Sequence, residues 1–351
     1  MIGHLAYAAG SPCPTIVLDG ARLPADQDEL LAYLAAARGY LFAAGGGHVL
    51  KFALVQPSVH PMFDLDYRFV QALPGAVDRF DLRGSCGHSI LSAVLAAERM
   101  GMVGRLTADG RIRVHVRNNG DHVVCEVDRI TRDSAEFTVH FVRPEPVPVT
   151  ALLLTGSPRT LLGSGGAKAE VSLVSAGNPY AFVDARSLGF ADPATLFGHN
   201  PQLFARMTGI RAAAADHLRW PRAGAFPKIA AILPAGPGRI AARAVTVPGW
   251  HPTIALTGAV CLASALRVPG TVTEQIAQAA GAVGRPIEIV TPNGRTTVTT
   301  ALAEVGGEAA LAYASVTGKR VEFQGSFVLE PLARLQFEEV SRCLASSVTP
   351  V

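Results

Sequence analysis

The chain has 351 residues, which is enough to bury two ordinary hydrophobic cores, so two domains are the first expectation. Its composition, 49% hydrophobic and 17% charged with 35 glycines and 24 prolines, is typical of a turn-rich globular protein. The formal net charge of +3 is too small, and the arginines are too dispersed, for a phosphate-binding surface, which excludes a nucleic-acid partner.

The cysteines and the apolar segments restrict the class further. Five cysteines, at positions 13, 86, 125, 261 and 343, are widely spaced and form no CxxC pair, so neither a disulfide framework nor a metal site is expected. The N-terminus does not have the pattern of a signal peptide, and no segment approaches the roughly 18 apolar residues of a membrane span. We expect a cytoplasmic protein with no membrane partner.

The predicted elements occur in the same order in the two halves of the chain. A turn at residues 9–12 joins two short strands, and an acidic first turn opens a helix over residues 26–38. A similar turn at residues 176–179 is followed by a helical stretch over residues 201–218. The repeated order indicates an internal duplication.

Each half then has a helix that is apolar on every face, as expected of a buried helix. The first begins at residues 85–89 and the second at residues 250–253, and the second runs to residue 265. Alignment of their apolar positions places His251 opposite Ser85 and Pro252 opposite Cys86. Two such helix starts facing each other predict an anion site, because helix N-termini carry a partial positive charge.

Asn-Gly steps at residues 119–120 and 293–294 predict a hairpin after each buried helix. Each half is then expected to end in a strand, over residues 137–142 and 321–329, followed by a Glu-Pro step. The order of elements predicts an α+β fold of two pseudo-symmetric domains, each a curled, mostly antiparallel β-barrel around a central buried helix. The expected domains are residues 1–165 and 166–351, divided near a glycine-rich linker.

Lys51 and Cys86 are the candidates for acid–base chemistry. Lys51 lies in the apolar run of residues 49–55, which reads as a buried strand, and an unpaired buried ammonium is costly. Cys86 lies at the start of the first buried helix, where unpaired N–H groups stabilise a thiolate. A lysine reaching solvent from an edge strand and a structural cysteine in the core are the alternatives.

Several weaker candidates surround this pair. Gly47 and His48 end a glycine-rich turn that lacks the GK[ST] ending of a phosphate loop and leads into a strand. Cys13 lies in the first turn and is expected at the edge of the cleft, whereas the other three cysteines are expected in the core. His251 and Thr253 lie at the start of the second buried helix and are expected to face Cys86.

These residues resemble the methylaconitate isomerase (PrpF) family, which has the diaminopimelate-epimerase-like fold. The matching stretches span most of the chain in the family's order and are residues 45–55, 84–87, 155–158, 176–179, 227–230 and 251–259. The resemblance implies no cofactor, a small carboxylate substrate, and Lys51 and Cys86 as the catalytic pair. The expected substrate-binding residues are Ser11, Gly47, His48, Ser85, Gly87, His88, Asn178, Lys228, His251 and Thr253.

The chain departs from the family's motifs around Lys51 and Cys86, the two residues that match its catalytic pair. The family's first turn, GGTSKG, is replaced by residues 9–14, and its TSK before the catalytic strand is replaced by Val49, Leu50 and Lys51. Its GNCGN is replaced by residues 84–88, which bring in His88. Because hydroxyl donors and a lysine are lost, we expect a substrate that is less polar than methylaconitate or has fewer carboxylates.

The expected function is cofactor-independent cis–trans or double-bond isomerisation by allylic (1,3) proton transfer. The substrate would be a small unsaturated acid, methylaconitate-like or itaconate-like, or a related biosynthetic intermediate. A two-base epimerase or racemase and a non-catalytic carboxylate-binding protein are the alternatives. A homodimer is also left open.

Overall fold

A computed structural model describes residues 1–332 except residues 165, 166, 247, 248, 283 and 285. The predicted domain boundary at residues 165 and 166 and the C-terminal Cys343 lie outside the described residues.

The first half contains eight strands and two α-helices in the described part of the chain. They are β1 (Ile2–Ala8), β2 (Thr15–Asp19), α1 (Gln27–Ala43), β3 (Lys51–Pro57), β4 (Leu65–Ala72), β5 (Phe80–Asp81), α2 (Gly87–Arg99), β6 (Arg111–Val116), β7 (Asp121–Ile130) and β8 (Ser134–Pro148).

The second half contains a further eight strands and four α-helices, again counted over the described residues. They are β9 (Thr160–Ser164), β10 (Ala167–Ala176), β11 (Asn178–Asp184), α3 (Pro193–Phe197), α4 (Pro201–His217), β12 (Lys228–Pro234), β13 (Arg239–Val245), α5 (Leu256–Ala265), α6 (Val272–Ala279), β14 (Ile287–Thr291), β15 (Gly294–Val305) and β16 (Glu308–Val328).

Eight strands close into a barrel around α2. Their order is β1-β2-β3-β4-β6-β7-β8-β16, and β16 pairs back with β1. A closed barrel leaves no strand edge unpaired, and its inward-facing side chains pack on α2. Helix α2 is buried from Gly87 to Ala97, because apolar residues cover its whole circumference.

The second half repeats this arrangement around α5. Strands β2 and β3 pair in parallel, as do β4 and β6, and the matching pairs β11–β12 and β13–β14 are also parallel. In the second half the strand order is β16-β15-β14-β13-β12-β11-β10-β9. Helix α5 contacts β15 and β16 near one end of this order and β10 and β11 near the other, so the sheet curls around it. The predicted α+β fold of two related halves, each with a central buried helix, is confirmed.

The long strand β16 joins the two halves. It pairs with β15 of its own half and with both β8 and β1 of the first half. The predicted division into residues 1–165 and 166–351 stays a prediction.

Two predicted boundaries are wrong. Helix α5 begins at Leu256, not near Trp250. Hydrogen bonds to other elements hold the segment before it outside the helix: the His251 N–H donates to the Ala244 carbonyl and the Thr253 hydroxyl to the Gly10 carbonyl. Ala255 caps α5, so it is the residue matching Cys86, the cap of α2, and the predicted match with Pro252 is wrong.

The second wrong boundary is the Glu-Pro step at residues 145–146, which does not end a strand. Strand β8 continues through it to Pro148, where its last residues pair with the start of β16. The step after β16, at residues 330–331, does follow the strand as expected.

The N-termini of α2 and α5 meet at Gly87. A Cβ atom built at Gly87 would lie 2.6 Å from Leu256 Cβ, which is closer than real Cβ contacts allow. Since the two helices belong to different halves, this contact fixes how the halves face each other. Among the described residues, no helix is both long enough and apolar enough to cross a membrane.

Substitution Gly87→Ala should lower the free energy of unfolding by about 1–3 kcal/mol, because the added methyl overpacks the contact between α2 and α5. The matched control is Gly39→Ala in α1, where no atom lies within 4 Å of the added Cβ; it should gain about 0.5–1 kcal/mol from helix propensity. Urea unfolding of both variants measures the difference. Equal stability of the two variants would contradict this account of the contact.

Candidate active site

A cavity of about 540 Å³ lies between the two halves. The first half contributes Lys51, Ser85 and Cys86 to its wall, and the second contributes Lys228, His251 and Ala255. The two residues predicted as the catalytic pair therefore line the same cavity. Their shared wall is formed by the start of β3 and the start of α2.

Lys51 is the first residue of β3 and is 4% exposed. Its ammonium donates a hydrogen bond of 2.7 Å to the Ser11 hydroxyl, which in turn donates to the Cys13 carbonyl at 2.7 Å. Ser11 thus orients the amine through the turn between β1 and β2. This position differs from an edge-strand lysine reaching solvent, because β3 lies between β2 and β4 in the barrel.

Lys228 is the first residue of β12 and takes the position in the second half that Lys51 takes in the first. Both strands pair in parallel with the preceding strand of their half. Burial is the main reason that the pKa of Lys228 is lowered to about 8; the charge of Cys86 opposes this shift and the nearby charge of Lys51 adds to it. Its ammonium lies 5.5 Å from the centre of the Phe226 ring.

Cys86 caps α2 and is 6% exposed. Burial by itself would raise the pKa of its thiol. The ammonium groups of Lys51 and Lys228 and hydrogen bonds from Ser89 outweigh burial, so the pKa of Cys86 lies below its usual value. The thiol is thus prepared to ionise inside a cationic cavity.

Asn178 holds the segment before Cys86 in place. Its amide oxygen accepts from the Ser85 N–H at 3.1 Å, and its amide nitrogen donates to the Ser85 carbonyl at 2.7 Å and to the Thr257 hydroxyl at 2.9 Å. These contacts occupy the amide, so we interpret Asn178 as a positioning residue rather than a substrate ligand. The Ser85 hydroxyl is buried and has no hydrogen-bond partner in the described part of the chain.

His251 presents a neutral ring to the cavity. Burial, followed by the charges of Lys51 and Lys228, holds the pKa of His251 well below its usual value. Its Nδ1 accepts a hydrogen bond from the Thr253 N–H at 3.1 Å, so the ring proton resides on Nε2. His251 can therefore donate a hydrogen bond from Nε2. Thr253 binds the Gly10 carbonyl and secures this segment to the first half.

His88 lies behind the cavity and is 1% exposed. Its ring stacks on that of His251 with centroids 5.9 Å apart, and its Nδ1 is buried without a hydrogen-bond partner among the residues that the structure describes. Burial, with the charge of Lys51, holds the pKa of His88 well below its usual value, so the ring is neutral. His88 thus packs against His251 and helps to hold that ring in position.

The remaining predicted residues differ in exposure. Gly47 and His48 are exposed and line the cavity from the loop before β3. Cys13 also lines the cavity, as expected, and burial raises the pKa of its thiol. The predicted core cysteines Cys125 and Cys261 are fully buried.

The sequence did not reveal the apolar part of the wall. It includes Leu50 beside Lys51, Phe69 on β4 and Phe226 before Lys228, and the loop after β4 adds further residues. The equivalence of Lys51 and Lys228 was also missed, although both lysines open a similar apolar run and could have been aligned. Among the described residues, no group of three or more His, Cys, Asp or Glu side chains could bind a metal ion.

The curled sheets, the facing helix starts and the amine–thiol cavity define a protein of the diaminopimelate-epimerase-like class. Residues 41–326 match the family model described as PrpF protein, and the chain belongs to the PrpF family.

Named relatives and a solved structure agree with this assignment. The chain is 25% identical to the 3-methylitaconate isomerase of Eubacterium barkeri over 285 residues, which cover 68% of this chain and 74% of the relative. It is 24% identical to the 4-oxalomesaconate tautomerase of Pseudomonas putida, with 71% and 73% covered. The crystal structure of a methylitaconate-delta-isomerase shares the fold with a TM-score of 0.64 and 22% identity, over 95% of this chain and 97% of that one.

Alkylation of the Cys86 thiol by iodoacetamide should reach half of its maximal rate at a pH below ~8.5, the pKa of an ordinary thiol, because the pKa of Cys86 is lowered. Substitution Lys228→Met removes a cation that favours the thiolate, so the profile should move up by about one pH unit. Peptide mass spectrometry separates Cys86 from the other cysteines. Lys168→Met, at an exposed position of β10, is the control; an unmoved profile in Lys228→Met would refute the electrostatic coupling.

Proposed function

We propose that this protein is a cofactor-independent isomerase that moves a proton between two carbons of a small unsaturated carboxylic acid. The observation that carries the proposal is the presence of Lys51 and Cys86 in the wall of one cavity, beside the start of a buried helix. Both groups exchange protons with carbon acids when they are held next to a substrate. The two relatives are named as an isomerase and a tautomerase, which supports the same reaction class.

The charges of the cavity favour an acid as the substrate. Lys51 and Lys228 bring two cations, and the N–H groups at the start of α2 add a partial positive charge. The carboxylate of Asp81 in the same wall is occupied by Arg83 and by the Ala225 N–H. A carboxylate of the substrate is therefore the group that best compensates the two lysines. Acids of the methylitaconate or oxalomesaconate kind, named for the relatives, meet this requirement.

In the proposed reaction, the Lys51 ammonium first passes a proton to the Cys86 thiolate, and the resulting neutral amine removes a proton from the carbon next to the double bond. The electron pair released from this C–H bond shifts the double bond, and the negative charge spreads onto the carboxylate oxygens. The α2 N–H groups and the Ser85 hydroxyl, which has no hydrogen-bond partner among the described residues, would stabilise that charge. Cys86, or the protonated Lys51, then returns a proton two bonds away, so one C–H bond breaks and one forms.

Substrate orientation is assigned to groups from both halves. Lys228 would bind a carboxylate, and His251 would donate its Nε2–H to an oxygen of the substrate. Gly47 and His48 would contact the substrate at the entrance. Because the contributions come from both halves, the relative position of the halves sets which carbon faces Lys51.

An epimerase that uses two thiols is less well supported. Such an enzyme needs a thiol on each side of the stereocentre, and the residue matching Cys86 at the cap of α5 is Ala255. The second thiol in the wall, Cys13, belongs to the same half as Cys86, and burial raises its pKa.

A free thiol at Cys86 suits the cytoplasmic location that we propose. A homodimer stays a prediction.

Substitution Lys51→Met should lower turnover by about 10²–10⁴-fold, because it removes the base. The assay follows 3-methylitaconate in D₂O by mass spectrometry, where the wild-type protein should introduce deuterium at the allylic carbon of the product. Lys168→Met, on the exposed face of β10, should retain full activity. Normal turnover or deuterium incorporation in Lys51→Met would refute the assignment of the base.

Substitution of each cavity thiol distinguishes the isomerase from a two-thiol epimerase and from a non-catalytic carboxylate-binding protein. Cys86→Ser should lose turnover, whereas Cys13→Ser should retain it, because the proposed proton transfer uses only the thiol at the start of α2. Loss of activity in both variants, with exchange of a stereocentre proton in the wild type, would favour the two-thiol epimerase. Binding of the acid without turnover in any variant would favour a carboxylate-binding protein.

A further inference from the structure

The inner wall of the cavity is apolar next to the charged groups. Leu50, Phe69 and Phe226 are each less than one-tenth exposed and line the same cavity as Lys51 and Lys228. A site for a compact dicarboxylic acid has polar groups on most sides. Here polar groups come from the starts of β3, β12 and α2 and from the segment before α5, and His48, Gln71 and Thr246 add to them. Arg38 and Asp81 also line the wall but are bonded to other groups of the protein. The other lining residues are apolar or glycine.

The entrance of the cavity is also apolar and is exposed. Phe42, in the last turn of α1, is 69% exposed, and Val77, in the loop after β4, is 43% exposed. Both line the cavity. Exposed aromatic and aliphatic side chains at the edge of a pocket are typical of a surface that becomes covered when a ligand binds.

This entrance is held in a defined shape. The guanidinium of Arg38, on α1, is buried and donates hydrogen bonds to the carbonyls of Leu73, Ala76 and Arg79. These bonds fix the loop that carries Val77 to the helix that carries Phe42. The arrangement is therefore a rigid rim, although its apolar side chains are exposed.

Gly47 holds the other side of the Phe42 ring. A Cβ atom at Gly47 would lie 2.7 Å from the Phe42 ring, so only glycine lets the loop before β3 pack this closely on it. The ring is thus supported on one side by backbone and open on the other. The cavity volume of about 540 Å³ also lies within the ~300–1,000 Å³ range of sites for drug-sized ligands.

We propose that the substrate is an unsaturated acid with an aryl or branched alkyl arm, and that Phe42 and Val77 bind this arm at the entrance while the carboxylates face the lysines. This substrate class rests on the proposed function and narrows it. The arm would cover the exposed faces of the two side chains and contact Leu50 and Phe69 further in. A substrate with such an arm also explains why the apolar residues Val49 and Leu50 precede Lys51.

Binding of two saturated acids tests the proposal without turnover, because neither has a double bond to shift. Isothermal titration of the whole protein with succinate and with racemic 2-benzylsuccinate should show about tenfold to a hundredfold tighter binding of benzylsuccinate, as expected for burial of an aromatic ring. Phe42→Ser and Val77→Ser should each reduce this ratio. Val59→Ser, which changes a residue that is 94% exposed and outside the cavity wall, should preserve it.

The outcomes separate this inference from the function on which it rests. If succinate binds and benzylsuccinate shows no advantage, the apolar arm is wrong and the isomerase proposal stands. An advantage that survives in both Phe42→Ser and Val77→Ser also overturns the assignment of the rim. If the wild-type protein binds neither acid, and no acid exchanges deuterium, both proposals fail.

Discussion

The site depends on two ammonium groups beside one thiol, that of Lys51 buried and that of Lys228 half-buried. An ammonium in a protein interior is costly unless negative charge lies close by. Here the Asp81 carboxylate is bonded to Arg83 and compensates Lys228 only weakly, so the main compensating charges for Lys51 and Lys228 are the Cys86 thiolate and the carboxylate of a ligand. The charges of the two lysines lower the pKa of Cys86, whereas burial is the main cause that lowers the pKa of Lys228 and of His251.

The two halves are related by duplication but differ at the cap of their buried helices, and this difference explains how they form a single active centre. The lysines open equivalent strands, and the helices α2 and α5 start face to face at Gly87. The helix caps differ, since Cys86 has Ala255 as its counterpart. A thiol on one side only suits a reaction in which the proton moves along the substrate, whereas inversion at one carbon by two thiols needs one on each side.

The polar residues around the cavity divide into those already bonded within the protein and those left free. Asn178 and Thr253 use their side chains to hold the backbone of Ser85 and of Gly10. The Ser85 hydroxyl has no hydrogen-bond partner within the described ranges of the chain. The bonded residues hold the site in shape before the substrate arrives, so less free energy is needed to order it on binding.

The sequence by itself determined the duplicated order of elements, the buried helices and the pair Lys51 and Cys86, because hydrophobic periodicity, turn residues and an amine in an apolar run are local signals. It misplaced the start of α5, since that start depends on a hydrogen bond from His251 to the neighbouring strand β13 and on one from Thr253 to Gly10 in the first half. Only the tertiary structure decided that Asn178 is occupied by protein groups and that Phe42 and Val77 share one entrance. Those contacts join residues far apart in the chain, and no local pattern encodes them.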